Sequence, residues 1–354
     1  MTSVLDFLFQ NPPAKGEFIP RKAQIEHKKT WLKGGAGVGK TALALDFLFK
    51  FEKFLYIDLA DLRLANFDFL GVLDEFIAKN EIEALCIDSA PRGFASEFKC
   101  ENVVVASRYD NSNLKDYSNL TLRGLDFEEF IAFYPRPLAE GAAFSHFLAL
   151  GNSPECAKAA SAEGLRLSFL ARFEPLERKI LSRLAPRLSS PLAALQVFRE
   201  IKESEKLSKD RFYRTLATLE ETGAIGFVAS SDEKAKFRRV FFGDFALKSL
   251  LAISKDPRAV IANMVFCELA KMEQEPVFTS FADFVLAGRA LAITVSPFSD
   301  PELAALRVKK RAREFLDLGI TRALVVSNAG ELKTAHEGLK IEISPFWRWA
   351  SGIE

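Results

Sequence analysis

The sequence predicts an α/β fold whose first part is a parallel sheet carrying a phosphate-binding loop. Three observations lead there. Gly34-x-x-x-x-Gly39-Lys40-Thr41 is the complete spacing of a nucleoside-triphosphate phosphate loop. It stands between an apolar run, "KTWLKG", and a helical run, "TALALDFLFKF". From Thr30 to about Tyr134, short apolar runs alternate with segments of helical period, the signature of parallel strands joined by helical crossovers.

Taken in order, "KTWLKG" is the strand that enters the loop and "TALALDFLFKF" the helix that leaves it. "KFLYIDLAD" is a second strand, "DFLGVLDEFIAKN" a helix, "IEALCIDSA" a third strand and "ENVVVASRY" a fourth. Lys40 and Thr41 therefore sit between a strand and a helix N-terminus, the context that gives the motif its meaning. Gly34, Gly35, Ala36, Gly37, Val38 and Gly39 form the loop proper, with Ala42 in the first helical turn. Backbone N–H groups of such a loop curl around phosphate oxygens, a lysine adds a point charge, and the following hydroxyl ligates magnesium. ATP or ADP and Mg2+ are the implied ligands.

Asp88 ends the third strand, where it is expected to hold the magnesium shell through water. Many ATPases place a glutamate directly after that acid to polarise the attacking water. Here the residue is Ser89, which has no basicity to offer near neutral pH. Binding is thus better supported than fast hydrolysis. Asp58 and Asp61 follow the second strand and face the ligand crevice, or are solvated loop acids and helix caps. At the end of the fourth strand Ser107 is the expected polar sensor of the γ-phosphate, and Arg108 a charge stabiliser.

Composition limits the classes open to the chain. Its 354 residues suggest two or three domains at roughly 150 residues each. Charged residues are 27% and hydrophobic ones 49%, as in an ordinary globular chain. Lys plus Arg (48) balances Asp plus Glu (47), so contact with nucleic acid has to come from a local patch. Cys86, Cys100, Cys156 and Cys267 have neither metal-ligand nor redox spacing, which suits a reducing compartment. The N-terminus lacks the pattern of a secretory signal and no segment has membrane-span composition, so a cytoplasmic protein without an anchor is expected. His27, His146 and His336 are too widely separated to suggest metal ligation. Lys309, Lys310, Arg311 and Arg313 read as the solvated face of a helix whose Leu303, Leu306 and Phe315 turn inward.

After the fourth strand the chain resembles the archaeal-type AAA ATPase family. The residues that carry the resemblance are Leu122-Arg123-Gly124, Phe127-Glu128-Glu129-Phe130 and the turn Gly151-Asn152-Ser153-Pro154-Glu155, together with "LYIDLADLR". The likeness runs over nearly the whole chain, from about residue 20 to 350. It implies an AAA-type phosphate-loop domain over 1–172 with a helical lid over about 140–172, a winged-helix domain over 173–252, and an α/β restriction-nuclease-like domain over 253–354.

"EPLERKILSRLA", "SPLAALQVFREIKES" and "LSKDRFYRTLATLEETGAIGFVA" read as three helices, and "KFRRVFFGD" as the returning strand of a hairpin ending at Asp244. A winged helix of this kind docks double-stranded DNA or a protein. Lys209, Arg211, Arg214, Lys234, Lys236, Arg238 and Arg239 supply positive charge for DNA; Asp210, Glu220, Glu221, Asp232 and Glu233 dilute it. In the last segment "VIANMVFCELAKM", "FADFVLAGRALAITV" and "LKIEISPFWRWA" match the nuclease-like domain. Active members of that fold need an aspartate on one strand and Glu-x-Lys on the next. Asp283 is present, but the partner strand reads Thr294-Val295-Ser296, and Ala262 replaces a helix glutamate. The expectation is a nuclease fold without nuclease chemistry, with Asp283 a buried or capping residue. Glu268 is the nearest acid that would alter that reading.

Overall fold

A computed structural model describes residues 4–16, 18–65, 69–134, 139–158, 168–232, 234–272 and 275–352. The start of the helix expected at Asp68, the centre of the expected lid and Glu233 lie outside these residues. The chain divides into two compact units, Met1–Arg123 and Gly124–Glu354.

The first unit is built on β1 (Lys29–Gly34), β2 (Phe54–Asp58), β3 (Ala84–Ala90), β4 (Asn102–Ser107) and β5 (Ser118–Leu122). All pair in parallel in the order β2-β3-β4-β1-β5. Side chains alternate across the sheet, so each central strand feeds two apolar layers. On one face Trp31, Ile57, Ile87 and Val105 pack with Leu73 and Phe76 of α3 (Leu70–Asn80) and Leu5 of α1 (Val4–Gln10). On the other, Leu32, Cys86, Val104 and Ala106 meet Leu43, Ala44 and Leu48 of α2 (Lys40–Leu48). Burial on both faces is why these strands read as unbroken apolar runs. The loop after β1 opens at the edge formed by the C-terminal ends of β3 and β4, where ligands of such sheets sit.

The second unit begins with α4 (Phe127–Phe133), α5 (Glu140–Leu150) and α6 (Pro154–Lys158). Three helices follow: α7 (Pro175–Leu184), α8 (Ala194–Ser204) and α9 (Lys209–Glu221), with the two-residue β6 (Pro191–Leu192) between the first two. The hairpin β7 (Ile225–Ser230) and β8 (Arg238–Phe242) is antiparallel, and β6 adds to its β8 side.

Next come α10 (Ala246–Leu251), α11 (Pro257–Leu269), β9 (Val277–Phe278), β10 (Phe284–Leu286) and β11 (Leu291–Val295). The chain closes with α12 (Pro301–Lys309), α13 (Ala312–Asp317), β12 (Arg322–Val326), β13 (Leu332–His336), β14 (Leu339–Ser344) and α14 (Phe346–Ala350). One nine-stranded sheet, β13-β14-β12-β11-β10-β9-β7-β8-β6, runs through the hairpin and the C-terminal strands alike. The join is a short parallel pairing of β7 with β9, Ala229 opposite Val277 and Ser230 opposite Phe278. Among the described residues no helix is long and apolar enough to cross a membrane.

Residues 124–158 belong to this second unit because the turn at Gly151 to Ser153 is pressed against the end of β8. Asn152 donates its side-chain amide to the Gly243 carbonyl (3.2 Å) and its backbone N–H to Asp244 Oδ1 (3.3 Å). Gly151 has φ 99°, and a Cβ there would lie 2.5 Å from Asp244 Oδ1. Asp244 Oδ2 is closed off from solvent and has no hydrogen-bond partner among the described residues. Burial pushes its carboxyl up to about 6 against the opposing backbone N–H of Ala246 and Asn152. Raised above its unfolded value, the group stabilises fully below about pH 4, and that stability is lost as pH rises through about 6. Asp244→Asn, which keeps the shape and removes the charge, should therefore raise stability at pH 7 by roughly 1–3 kcal/mol. Thermal unfolding between pH 5 and 8 checks this: the gain should shrink toward acid pH, and a pH-independent difference would sink it.

Candidate nucleotide-binding site

The loop geometry follows from small residues placed where the chain comes close to itself. A Cβ on Gly34 would lie 2.5 Å from the Leu122 carbonyl oxygen and 2.8 Å from Val38 Cγ2. Gly39 caps α2 in the left-handed region at φ 97°, a conformation that costs other residues about 1–2 kcal/mol. Lys40, Thr41 and Ala42 then form the first turn of α2, whose free N–H groups favour an anion.

Lys40 folds back over the loop, its Nζ donating to the carbonyls of Gly34 and Gly35, each at 2.8 Å. Burial pushes its ammonium down to about 8; Asp88 pulls against that fall and the nearby charge of Arg108 adds to it. Asp88 is 4% exposed, and its carboxylate gathers the site together. Oδ2 accepts from Thr41 Oγ1 at 2.5 Å and from the Tyr56 hydroxyl at 2.9 Å, while Oδ1 accepts the Ser89 N–H at 2.7 Å. Burial first, then the charge of Asp88, holds the Tyr56 phenol far above its ordinary value, so it serves as a neutral donor.

A hydroxyl and a carboxylate in contact at the end of the phosphate loop fit a magnesium ion. Mg2+ keeps several waters and takes its other ligands from phosphate oxygens, so one carboxylate and one hydroxyl suffice. Among the described residues no group of three His, Cys, Asp or Glu side chains is placed to hold a metal on its own.

Ser89 follows Asp88 with φ 57°, at an irregularity in the β3–β4 ladder between Ile87 and Ala90. A non-glycine residue held there stores about 1–3 kcal/mol of strain, the kind that collects at functional positions. Its side chain is exposed at the strand end, where a water-activating acid would stand. Asp58 lies directly opposite Asp88 across the β2–β3 pairing, with Oδ1 accepting the Ala60 N–H at 3.0 Å. Asp61 is a cap: it accepts the Arg63 N–H at 2.9 Å and pairs with that guanidinium.

The two residues at the end of β4 part company. Ser107 is fully buried; its hydroxyl donates to the Ala90 carbonyl at 2.7 Å and accepts the Tyr109 N–H at 3.1 Å. Those bonds tie β4 to β3 just past the irregularity. Arg108 is exposed, and its charge is felt at Lys40. Two residues the sequence did not single out complete the site. Tyr56 supplies the second donor to Asp88. Arg21 is 6% exposed and bridges the Val38 carbonyl of the loop (2.8 Å) to the Arg123 carbonyl beyond β5 (2.8 Å).

In the second unit, Asp283 is 3% exposed and fully engaged. Oδ1 accepts from Arg239 Nη1 at 2.7 Å, Arg258 Nη2 spans both oxygens at 2.8 and 2.9 Å, and the Val295 N–H reaches Oδ2 at 2.8 Å. An acid so occupied is a structural ion-pair centre. Glu268 accepts the Phe127 N–H at 3.1 Å. Arg239, expected among the DNA-facing cations, is turned into this ion pair with its side chain 15% exposed and stacks over Phe278. Arg238 stacks on Phe227 (3.9 Å) and pairs with Glu220 (3.5 Å), while Arg211 and Arg214 stand exposed on α9.

No protein-family model matches the chain, and no curated protein matches it. Among solved structures, a Walker-type ATPase of Pyrococcus abyssi is similar at 14% identity and TM-score 0.42, over 64% of this chain and 91% of that one. A signal-transduction ATPase with a tetratricopeptide-repeat sensor, from Pyrococcus horikoshii, is similar at 16% identity and TM-score 0.29, over 85% of this chain and 53% of that one. Drosophila ORC bound to DNA is similar at 13% identity and TM-score 0.19, over 67% and 81%. At these identities and scores the likenesses add nothing to what the geometry carries.

Proposed function

We propose that the chain binds magnesium-ATP at residues 34–42 and hydrolyses it slowly, with nucleotide state coupled to the arrangement of its domains. The observation that carries this reading is the convergence of Lys40, Thr41 and Asp88 at the mouth of a loop where Gly34 admits no side chain and Gly37 and Gly39 hold left-handed backbone. Lys40 is poised to exchange its two loop carbonyls for phosphate oxygens. Thr41 and Asp88 would hold the ion, which when bound neutralises charge on the β- and γ-phosphates. Tyr56 keeps Asp88 oriented, Arg21 fixes the back of the loop, and Arg108 is the cation placed to meet charge developing on the γ-phosphate. The domains of the proposal are 1–172 with its lid, a winged helix over 173–252, and a nuclease-like domain without nuclease activity over 253–354.

Slow turnover follows from Ser89, since the site then lacks a carboxylate to orient the attacking water. Ser89→Glu is expected to raise single-turnover hydrolysis by at least about tenfold, within the range a general base contributes. Unchanged turnover with intact nucleotide binding would move the water-positioning role to Asp58, the acid level with Asp88.

A second reading is favoured by the same exposed, strained Ser89: a nucleotide-gated DNA-binding or regulatory module with negligible turnover. The three-helix and hairpin segment presents Arg211, Arg214 and Arg238 for a duplex, or a docking face for a protein partner. Replacing Arg211 and Arg214 together should weaken duplex binding and flatten its salt dependence, each lost phosphate contact lowering the slope by about one. A gel shift at about 50 mM salt, with and without ATP, checks it. Absence of any duplex binding by the unaltered protein would leave protein docking as the role of this segment.

A further inference from the structure

A cavity of about 390 Å3 opens in the second unit. It lies where α12 and α13 cover β11 and β12, and its walls differ sharply in chemistry. Three cations line it, Arg307 in the last turn of α12 and Lys310 and Arg311 at the break between the helices, with the Arg311 guanidinium 6.0 Å from the Phe281 ring centroid. Thr294 and Ser296 of the strand face contribute hydroxyls. The apolar wall is Phe281 and Phe315, edge to face with ring centroids 4.8 Å apart at 76°.

The polar side is partly tied in place. Arg307 donates to Ser299 Oγ at 3.2 Å, and that hydroxyl lies 2.5 Å from Ser296 Oγ, so a guanidinium and a cavity hydroxyl share one hydrogen-bonded chain. Among the described residues the acid paired with the three cations is Glu314, on Arg311 at 3.3 Å, and both ends of that pair are about half exposed. Such a pair is worth about 0–1 kcal/mol, little enough for Arg311 to turn to a ligand. Local charge is therefore positive and available.

We propose that this cavity binds a phosphate monoester of a flat aromatic group, nucleoside monophosphates being the natural class. Three cations beside hydroxyl donors match a dianion with several acceptor oxygens better than a single carboxylate. The volume falls in the range of about 300–1,000 Å3 typical of organic ligand sites and exceeds what phosphate alone would fill. Phe281 is the partly buried ring at the cavity, backed edge to face by the core residue Phe315, and it gives an aromatic group a surface to pack against beside the Arg311 guanidinium. The inference stands apart from the phosphate loop, and its test keeps the two separate.

Phenyl phosphate is titrated into the full chain with magnesium-ADP in excess, against inorganic phosphate, phenol and benzoate, and followed by calorimetry. Phenyl phosphate should bind at least about tenfold more tightly than each of the other three. Lys310→Glu, and separately Arg307→Ala with Arg311→Ala, should each lose about tenfold or more with the thermal midpoint unchanged. All the replaced side chains are exposed, so the single variant still decides if the double one fails to fold. Phenyl phosphate binding no tighter than phenol, or an affinity untouched by Lys310→Glu, overturns the proposal. So does an affinity that Lys40→Ala removes and Lys310→Glu does not.

Discussion

Lys40→Ala is expected to abolish measurable binding of magnesium-ATP in calorimetry while leaving the protein folded. The lysine contributes twice. Its charge meets the β- and γ-phosphates through contacts worth roughly 1.5–3 kcal/mol. In the ligand-free site its Nζ also closes the loop by bridging the carbonyls of Gly34 and Gly35, so alanine removes the cation and loosens the frame together. Lys40→Arg separates the two effects: it keeps the charge yet is too large for a loop whose back is fixed by Arg21 at Val38. An affinity for magnesium-ATP that survives Lys40→Ala would remove the phosphate loop from the proposal altogether.

Asp283→Ala should destabilise the second unit by roughly 3 kcal/mol, the cost of leaving a poorly solvated charge without its partner. The cost falls chiefly on Arg239, whose side chain is 15% exposed, since Arg258 is 48% exposed and rehydrates. A double change, Asp283→Leu with Arg239→Met, should recover most of the loss, because apolar residues of similar size replace a buried pair without leaving a charge behind. Chemical denaturation of the single and double variants tests both statements; a loss below about 1 kcal/mol for Asp283→Ala would show that the ion pair is not carrying the join. Plasmid DNA incubated with the unaltered protein and magnesium or manganese should remain intact. Cleavage lost on Asp283→Ala would require a metal shell that the two arginines now fill.

What the sequence made legible were features set by local rules. The phosphate loop, the strands flanking it and the Asp88 position follow from spacing and from the unbroken apolar runs of a sheet buried on both faces. The hairpin of β7 and β8 was visible in its own apolar run, whereas the missing acid and lysine at Thr294 and Ser296 stood out only against the family resemblance. Partnerships made across long stretches of chain were not. Tyr56 looks like one more alternating strand residue, and Arg21 like a charge in a loop; only folding brings one to Asp88 and the other to Val38. The bond from Ser107 to Ala90 was hidden in the same way, since nothing local says which carbonyl a strand-end hydroxyl will meet. The left-handed backbone at Ser89 was equally hidden, because sequence signals that conformation mainly through glycine, and serine stands there instead.

The two-residue ladder between β7 and β9 also bears on how the molecule can be taken apart. If residues 173–252 were expressed alone, β7 would end as an unprotected strand edge offering Ala229 and Ser230 to any neighbouring chain, the usual template for sheet-to-sheet aggregation. The segment that reads as a separable module is, in hydrogen-bonding, one end of a larger sheet. Its natural limits for dissection therefore lie beyond β14, and hydrogen exchange along β7 should report the opening of the C-terminal strands as much as its own.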